Sequence, residues 1–191
     1  MPITPRTMRS DANRNHEAIL IGAIAVLAES PQASMREIAD ASGTGRTTLY
    51  RHFPDRQALV GAIYERVLNE ADEITAAHLD AGARADPVQV LGDLAVALAG
   101  LGDRHRFLEQ YDAAVTAKDP DYVRRRGGRL RDYLRAAQRT GQIRKDLTVD
   151  WMFAVVVALV TEAAGRFGDT GGSTRDAMLR ATIRSVLEPL P

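Results

Sequence analysis

Apolar residues along this chain recur at helical rather than strand spacing. The first such stretch spans residues 13–29, with apolar positions at Ile19, Leu20, Ala23, Ile24 and Leu27. These positions share one face of a helix. No segment alternates apolar and polar residues for long enough to predict a strand, and prolines and glycines divide the chain into helix-length pieces. The pattern predicts an all-α protein of about nine helices.

Three of the predicted helices are close together near the N-terminus. The helix over 13–29 ends at Ser30-Pro31, and a second helix over 34–41 begins with the capping-box pair Ser34 and Glu37. A turn with glycines at 43 and 45 separates it from a third helix over 46–53. Two short helices joined by such a turn have the layout of a helix-turn-helix motif.

Larger apolar blocks follow the loop over 81–86. After a long helix capped by Asp55, further helices are predicted over 87–101, 104–117, 119–140, 150–167 and 175–187. We therefore expect a flexible arm over 1–12, a three-helix helix-turn-helix domain over 13–54, and a larger helical domain over 55–191.

Composition changes this picture mainly by exclusion. The chain has no cysteine, its four histidines show no metal-binding spacing, and it carries neither a glycine-rich phosphate loop nor a nucleophile elbow. We therefore expect no metal, no cofactor and no enzymatic activity. The N-terminus does not resemble a signal peptide, and the apolar run over 151–160 is shorter than the roughly 20 residues that span a bilayer. These features predict a cytoplasmic protein without a membrane partner.

The third helix carries the candidate chemistry. Its inward positions are Leu49 and Phe53, and its outward positions are Arg46, Thr47, Thr48, Tyr50, Arg51 and His52. A two-turn helix with so many polar groups on its outer side suits insertion into a major groove of double-stranded DNA. Arg46 could bind the O6 and N7 atoms of guanine together, which discriminates against a wrong base by about 1–3 kcal/mol.

The run over 38–53, followed by Asp55, Arg56 and Leu59, resembles the DNA-binding domain of the tetracycline-repressor (TetR/AcrR) family. The family pattern is Ile-Ala-x-x-Ala-Gly-Val-Ser-x-Gly-Thr-Leu-Tyr-x-His-Phe, and the likeness covers residues 13–60. This chain departs from the pattern at four positions, namely Ser42, Thr44, Gly45 and Thr47. The pattern has alanine, valine, serine and glycine there.

The resemblance implies a sequence-specific transcriptional regulator, a ligand-responsive repressor that binds a pseudo-palindromic operator as a homodimer. It implies phosphate contacts by Tyr50, His52 and Arg56, and base contacts by Arg46, Thr47 and Thr48. The candidate DNA-binding residues are Ser34, Thr44, Arg46, Thr47, Thr48, Tyr50, Arg51, His52 and Arg56. Activation instead of repression stays open, and a helical protein-interaction module without DNA binding is the alternative function.

The second domain is expected to supply the dimer interface. Residues 151–160 are apolar on all sides of a helix, which indicates burial on all sides. The resemblance implies that the last two large helices pair with those of a second subunit, whereas the residues alone also allow a central core helix of a monomer. The candidate interface residues are Phe153, Val157, Val160, Leu179, Ile183 and Val186.

The resemblance also implies that an unknown small-molecule effector binds between helices of the second domain. The candidate pocket residues are Phe107, Tyr111, Tyr122, Tyr133, Trp151 and Glu162. Each aromatic residue is also compatible with ordinary core packing, and Glu162 with an ion pair to Arg166 four positions on. The basic run over 124–129 is interpreted as a solvated helix face that bends at Gly127 and Gly128.

Overall fold

The computed structural model describes residues 5–108, 111, 126–166 and 172–189, with side chains from residue 15 onward apart from that of Arg166. Every regular element in these ranges is helical, so the predicted all-α class is confirmed. The α-helices are α1 (Pro5–Glu29), α2 (Met35–Ala41), α3 (Arg46–His52), α4 (Arg56–Ala81), α5 (Pro87–Arg104), α6 (Gly128–Arg139), α7 (Val149–Arg166) and α8 (Gly172–Leu187). A single 3-10 turn, Arg106–Leu108, follows α5.

The chain forms two compact units, Met1–Arg66 and Val67–Pro191. Their boundary lies within α4, whereas the boundary predicted between residues 54 and 55 lies before that helix. The buried residues Leu59, Val60 and Ile63 explain the difference, because they give the first turns of α4 an apolar side that belongs to the first unit.

Helix α1 begins at Pro5, not at residue 13. The backbone of residues 5–12 is therefore helical, so α1 is longer than the helix predicted over 13–29. Proline is compatible with the first position of a helix because its missing N–H would have no partner within the helix.

The predicted helix boundaries around the turn are confirmed by hydrogen bonds. The Ser34 hydroxyl accepts a bond from the Glu37 backbone N–H at 3.3 Å, and the Glu37 carboxylate accepts one from the Ser34 backbone N–H at 2.7 Å. Gly43 follows α2 with a φ of 69°, a conformation that glycine adopts without steric cost. Asp55 caps α4 by accepting a bond from the backbone N–H of Ala58 at 2.8 Å.

The second unit is built around α5, which contacts both α7 and α8. Fully buried apolar side chains from α5, α6, α7 and α8 form its core, among them Leu91, Leu94, Leu134, Met152 and Ile183. The Arg180 guanidinium donates to the Asp93 carboxylate at 2.7 Å and joins α8 to α5 at the edge of this core. The unit therefore combines an apolar interior with ion pairs between helices.

Two helices of this unit differ from the predictions. Helix α5 continues past residue 101 to Arg104, and the described part of the next predicted helix begins with the 3-10 turn. The helix predicted over 119–140 is broken at Gly127, which lies between helical Arg126 and the start of α6. Close packing requires a glycine at this position, because a Cβ atom at Gly127 would overlap the ring of Phe153.

We predict that Gly127→Ala destabilises the second unit by about 1–3 kcal/mol, the usual cost of forcing an extra carbon into a packed site. The adjacent Gly128→Ala is the matched control, since a Cβ atom there meets no heavy atom within 4 Å. It should change the free energy of unfolding by less than about 1 kcal/mol, towards greater stability. Urea unfolding measures both, and equal effects of the two substitutions would contradict the packing explanation.

Candidate nucleic-acid interface

Helix α3 lies on the first unit with one side buried and the other exposed. Leu49 and Phe53 are almost completely buried, as are Ile38 and Ala39 of α2. Arg46, Thr47, Tyr50 and Arg51 are exposed on the opposite side. The apolar positions therefore fix the rotation of α3 about its axis, and four of the six polar residues predicted to face outward are exposed.

Arg46 differs from the sequence expectation because it is paired within the unit. Its Nε donates to Asp40 Oδ1 at 3.0 Å, and its Nη2 donates to Oδ1 at 2.9 Å and to Oδ2 at 2.7 Å. This hydrogen bonding lowers the pKa of the Asp40 carboxyl and raises that of the Arg46 guanidinium. Helical spacing in the sequence gives no sign of this contact, because Asp40 belongs to α2 and Arg46 to α3.

Arg56 is directed at the backbone of its own unit. Its Nε donates to the Ala33 carbonyl at 3.2 Å, and its Nη2 donates to the Pro31 carbonyl at 2.5 Å. These bonds join the start of α4 to the loop that leads into α2. Arg56 thus helps to hold the motif together, and the phosphate contact that the family resemblance implies for it stays a prediction.

His52 is half-buried in a small aromatic cluster. The ring centroids of His52 and His16 are 5.8 Å apart, and His16 lies 5.0 Å from the ring of Phe53. His52 Nε2 also approaches the Asn15 side-chain amide at 3.5 Å. The cluster joins the end of α3 to α1, so the outward side of α3 is supplied mainly by its other polar residues.

The remaining candidates of the first unit have mixed surroundings. The Ser34 hydroxyl donates to Glu37 Oε2 at 2.6 Å and is therefore engaged in the capping box. Thr44 and Thr48 are half-buried. Gly45 caps α3 without a side-chain hydrogen bond, as expected where glycine replaces serine.

A groove in the second unit lies between α7 and α8 and has a volume of about 130 Å³. It is lined by Leu159, Glu162, Ala163, Arg175, Met178, Leu179 and Thr182. Glu162 is the one predicted effector residue in this lining. Arg175 is held there by hydrogen bonds to Asp103 of α5 and to the neighbouring Asp176.

The other predicted effector residues are dispersed. Phe107, Tyr111 and Tyr133 are half-buried, and Tyr122 lies outside the described residues. Burial and the charge of Asp86 raise the pKa of the Tyr133 phenol. Trp151 is 60% exposed at the first turn of α7 and does not line the groove.

The predicted dimer residues have two kinds of surroundings. Phe153, Leu179 and Ile183 are buried in the core of their own unit, on the inner sides of α7 and α8. Val157, Val160 and Val186 pack against that core but are only half-buried, and their place in a dimer interface stays a prediction. The outer sides instead expose Trp151, Ala154, Ala158, Ala177, Met178 and Ala181.

The sequence profile of the family described as "Bacterial regulatory proteins, tetR family" matches residues 19–63. This match covers the end of α1, all of α2 and α3, and the start of α4. The likeness to the tetR family is therefore shown for residues 19–63. The resemblance noted in the sequence is thereby confirmed.

Two curated transcriptional regulators match part of this chain. The transcriptional repressor LfrR of Mycolicibacterium smegmatis is 43% identical over 54 residues, which are 28% of this chain and 29% of LfrR. The transcriptional regulator EthR of Mycobacterium tuberculosis is 34% identical over 74 residues, which are 38% of this chain and 34% of EthR. The aligned region thus spans about a third of each relative.

Solved tetR-like structures share the fold over most of the chain. The crystal structure of LfrR in complex with proflavine has a TM-score of 0.70 at 21% identity and covers 92% of this chain and 97% of its own. A regulator from a Rhodococcus species has a TM-score of 0.69 at 20% identity, with coverages of 91% and 98%. At this level of identity the likeness concerns the fold.

Ser42, where the family pattern has alanine, lies at a tight contact between α1 and the end of α2. A Cβ atom at Gly22 would approach Ser42 Cβ to 2.8 Å, and the Ser42 hydroxyl is buried without a hydrogen-bond partner among the described residues. A buried polar group without a partner is destabilising. This departure from the tetR pattern therefore weakens the packing of the domain.

We predict that Ser42→Ala raises the free energy of unfolding by about 1 kcal/mol, because it removes the unpaired hydroxyl and keeps the Cβ atom. Ser34→Ala is the matched serine substitution. It should lower the same quantity by about 1 kcal/mol through loss of the α2 cap. Thermal and urea unfolding measure the change in the free energy of unfolding of both variants. Destabilisation by Ser42→Ala would indicate that the Ser42 hydroxyl has a hydrogen-bond partner.

Within the described ranges, no helix is long and apolar enough to cross a membrane. The same part of the chain contains no group of three or more carboxylate or imidazole side chains placed to hold a metal ion.

Proposed function

We propose that this chain is a transcriptional repressor that binds a pseudo-palindromic DNA operator as a homodimer and is released by a small molecule. The observation that carries the proposal is the exposed polar side of α3, presented by a domain that matches the tetR family. Action on a bacterial chromosome would place the protein in the cytoplasm.

The exposed side of α3 supports DNA binding through the types of group it presents. Arg51 supplies a cation for phosphate, and Thr47 supplies a hydroxyl and a methyl group for base edges. Tyr50 is 48% exposed and presents its phenol group. No comparable observation supports the alternative of a protein-interaction module. The match to bacterial regulatory proteins also supports a role without catalysis.

The outer sides of α7 and α8 support dimerisation. Trp151 on α7 and Met178 on α8 are both about 60% exposed, and each helix also carries exposed alanines. Large apolar side chains on a surface favour association, and a second copy of this chain presents the same surface to form a two-fold symmetric interface. Such a dimer provides two recognition helices for successive major grooves, about 34 Å apart in DNA.

The proposed effector is an unidentified small molecule that binds the second unit. LfrR, which shares this fold, was crystallised with proflavine. Half-buried Phe107, Tyr111 and Tyr133 remain the candidate contacts of this chain, together with Tyr122. The groove that contains Glu162 also contains exposed Met178, and we therefore assign it to the dimer interface.

The operator can be obtained by selecting bound duplexes from a random pool with the full-length protein. We predict that Arg51→Ala then weakens binding to all duplexes by a similar factor, because a phosphate contact carries no base information. Arg84→Ala is the matched control, an exposed arginine in the loop between α4 and α5. Fluorescence anisotropy at several salt concentrations measures both variants.

For the unmodified protein, we expect a straight line when the logarithm of the binding constant is plotted against the logarithm of the salt concentration. Each phosphate contact should contribute about −0.9 to its slope, and we expect roughly four contacts per subunit. Arg51→Ala should reduce this slope by about one per subunit, whereas Arg84→Ala should leave it unchanged. A flat salt response, or no selected duplex, would contradict the proposed function.

We predict that Trp151→Glu and Met178→Glu each convert the dimer to a monomer, because either substitution buries a charge without a partner at the interface. Ile21→Glu is the matched control, since Ile21 is a large exposed apolar residue on α1, in the first unit. Analytical ultracentrifugation at micromolar concentration measures the oligomeric state. Dimers that persist in both glutamate variants would exclude the proposed surface.

A further inference from the structure

The pairing of Asp40 with Arg46 occupies one particular edge of the guanidinium group. A guanidinium has five N–H donors, one on Nε and two on each terminal nitrogen. Asp40 accepts from Nε and Nη2 at distances of 2.7 to 3.0 Å. The other edge contains Nη1, which carries none of these bonds and remains available, beside the second hydrogen of Nη2.

That available edge has the geometry needed for guanine. Guanine presents two acceptors in the major groove, O6 and N7, and an arginine reads them with two parallel N–H groups. The terminal edge of Arg46 supplies such a pair of donors while the carboxylate of Asp40 stays in place. The side chains of Arg46 and Asp40 are about half exposed, at 49% and 53%, so a base edge has access to them.

We propose that Asp40 is a positioning residue that holds Arg46 as a reader of one guanine in each operator half-site. This inference rests on the proposed function and adds a specificity determinant to it. The family resemblance implies base contacts for residues of α3, including Arg46. It gives no role to Asp40 on α2.

Fixing Arg46 before binding favours selectivity in two ways. A long arginine side chain loses rotamer freedom when it binds, and a side chain that is already oriented loses less. Asp40 also attracts the Arg46 guanidinium by its negative charge. This attraction disfavours any arrangement in which Arg46 leaves Asp40 to contact a DNA phosphate. The pair therefore reduces affinity for unrelated DNA and increases the preference for guanine.

Arg36 is a second and weaker partner of Asp40. Its Nε lies 3.8 Å from Asp40 Oδ2, and its side chain is 73% exposed. It belongs to the same helix as Asp40, four residues earlier, and its contact leaves the short bonds to Arg46 in place. Asp40 therefore acts on base reading through Arg46.

The test uses the selected operator and three further duplexes that carry the other bases at the guanine position assigned to Arg46. For the unmodified protein, guanine should be preferred by roughly 5- to 150-fold. Asp40→Asn keeps the side-chain shape and removes the charge. It should reduce this preference several-fold while strengthening binding to unrelated duplex DNA.

Arg46→Ala should abolish the preference, and adding Asp40→Asn to Arg46→Ala should not change base preference further. Asp132→Asn is the matched control, because Asp132 forms an exposed ion pair with Arg135 in the second unit at 2.5 Å. It should leave base preference as it is. Circular dichroism verifies that each variant is folded.

Three results would overturn the inference. An unchanged guanine preference in Asp40→Asn would show that Arg46 needs no positioning. Equal strengthening for all duplexes would show that Asp40 acts only through its charge. An equal loss of preference in the presence and absence of Arg46 would show that Asp40 acts through another group.

The same measurements separate the inference from the proposed function. Selective binding that survives Arg46→Ala would leave the proposed function intact, whereas absence of any duplex binding would refute both.

Discussion

The DNA-binding proposal depends on the burial of one side of a seven-residue helix. Leu49 and Phe53 pack into the core of the first unit, and this contact fixes the rotation of α3 about its axis. A helix of two turns is too short to be stable alone, so its conformation depends on that packing. The same contact that folds α3 therefore determines which of its side chains are available to DNA.

Charge pairing adds a second level of organisation to both units. The chain has 25 basic and 25 acidic residues, so its net charge gives no sign of a nucleic-acid partner. Many of these residues form arginine–carboxylate ion pairs, including Arg46 with Asp40 and Arg180 with Asp93. Exposed pairs of this kind contribute little to stability, about 0–1 kcal/mol each. Their main effect here is to orient guanidinium groups.

Most of the fold was accessible from local sequence signals. Helical spacing identified the all-α class, and the capping box of Ser34 with Glu37 located the start of α2 because its bonds join residues three apart. Predictions failed where a distant residue decides the outcome. The Phe153 ring packs against Gly127 too closely for any side chain at that position, and the expected interface residue Ile183 is a core residue of one subunit. Local spacing contains no information about such contacts.

The sequence by itself determined the helix-turn-helix and the polar composition of its third helix, since both follow from residues within a few turns of each other. Tertiary structure decided how those polar groups are used. It directs Arg56 to the carbonyls of Pro31 and Ala33, places His52 against α1, and ties Arg46 to Asp40. These partners belong to separate helices, and only the folded chain brings them within hydrogen-bonding distance.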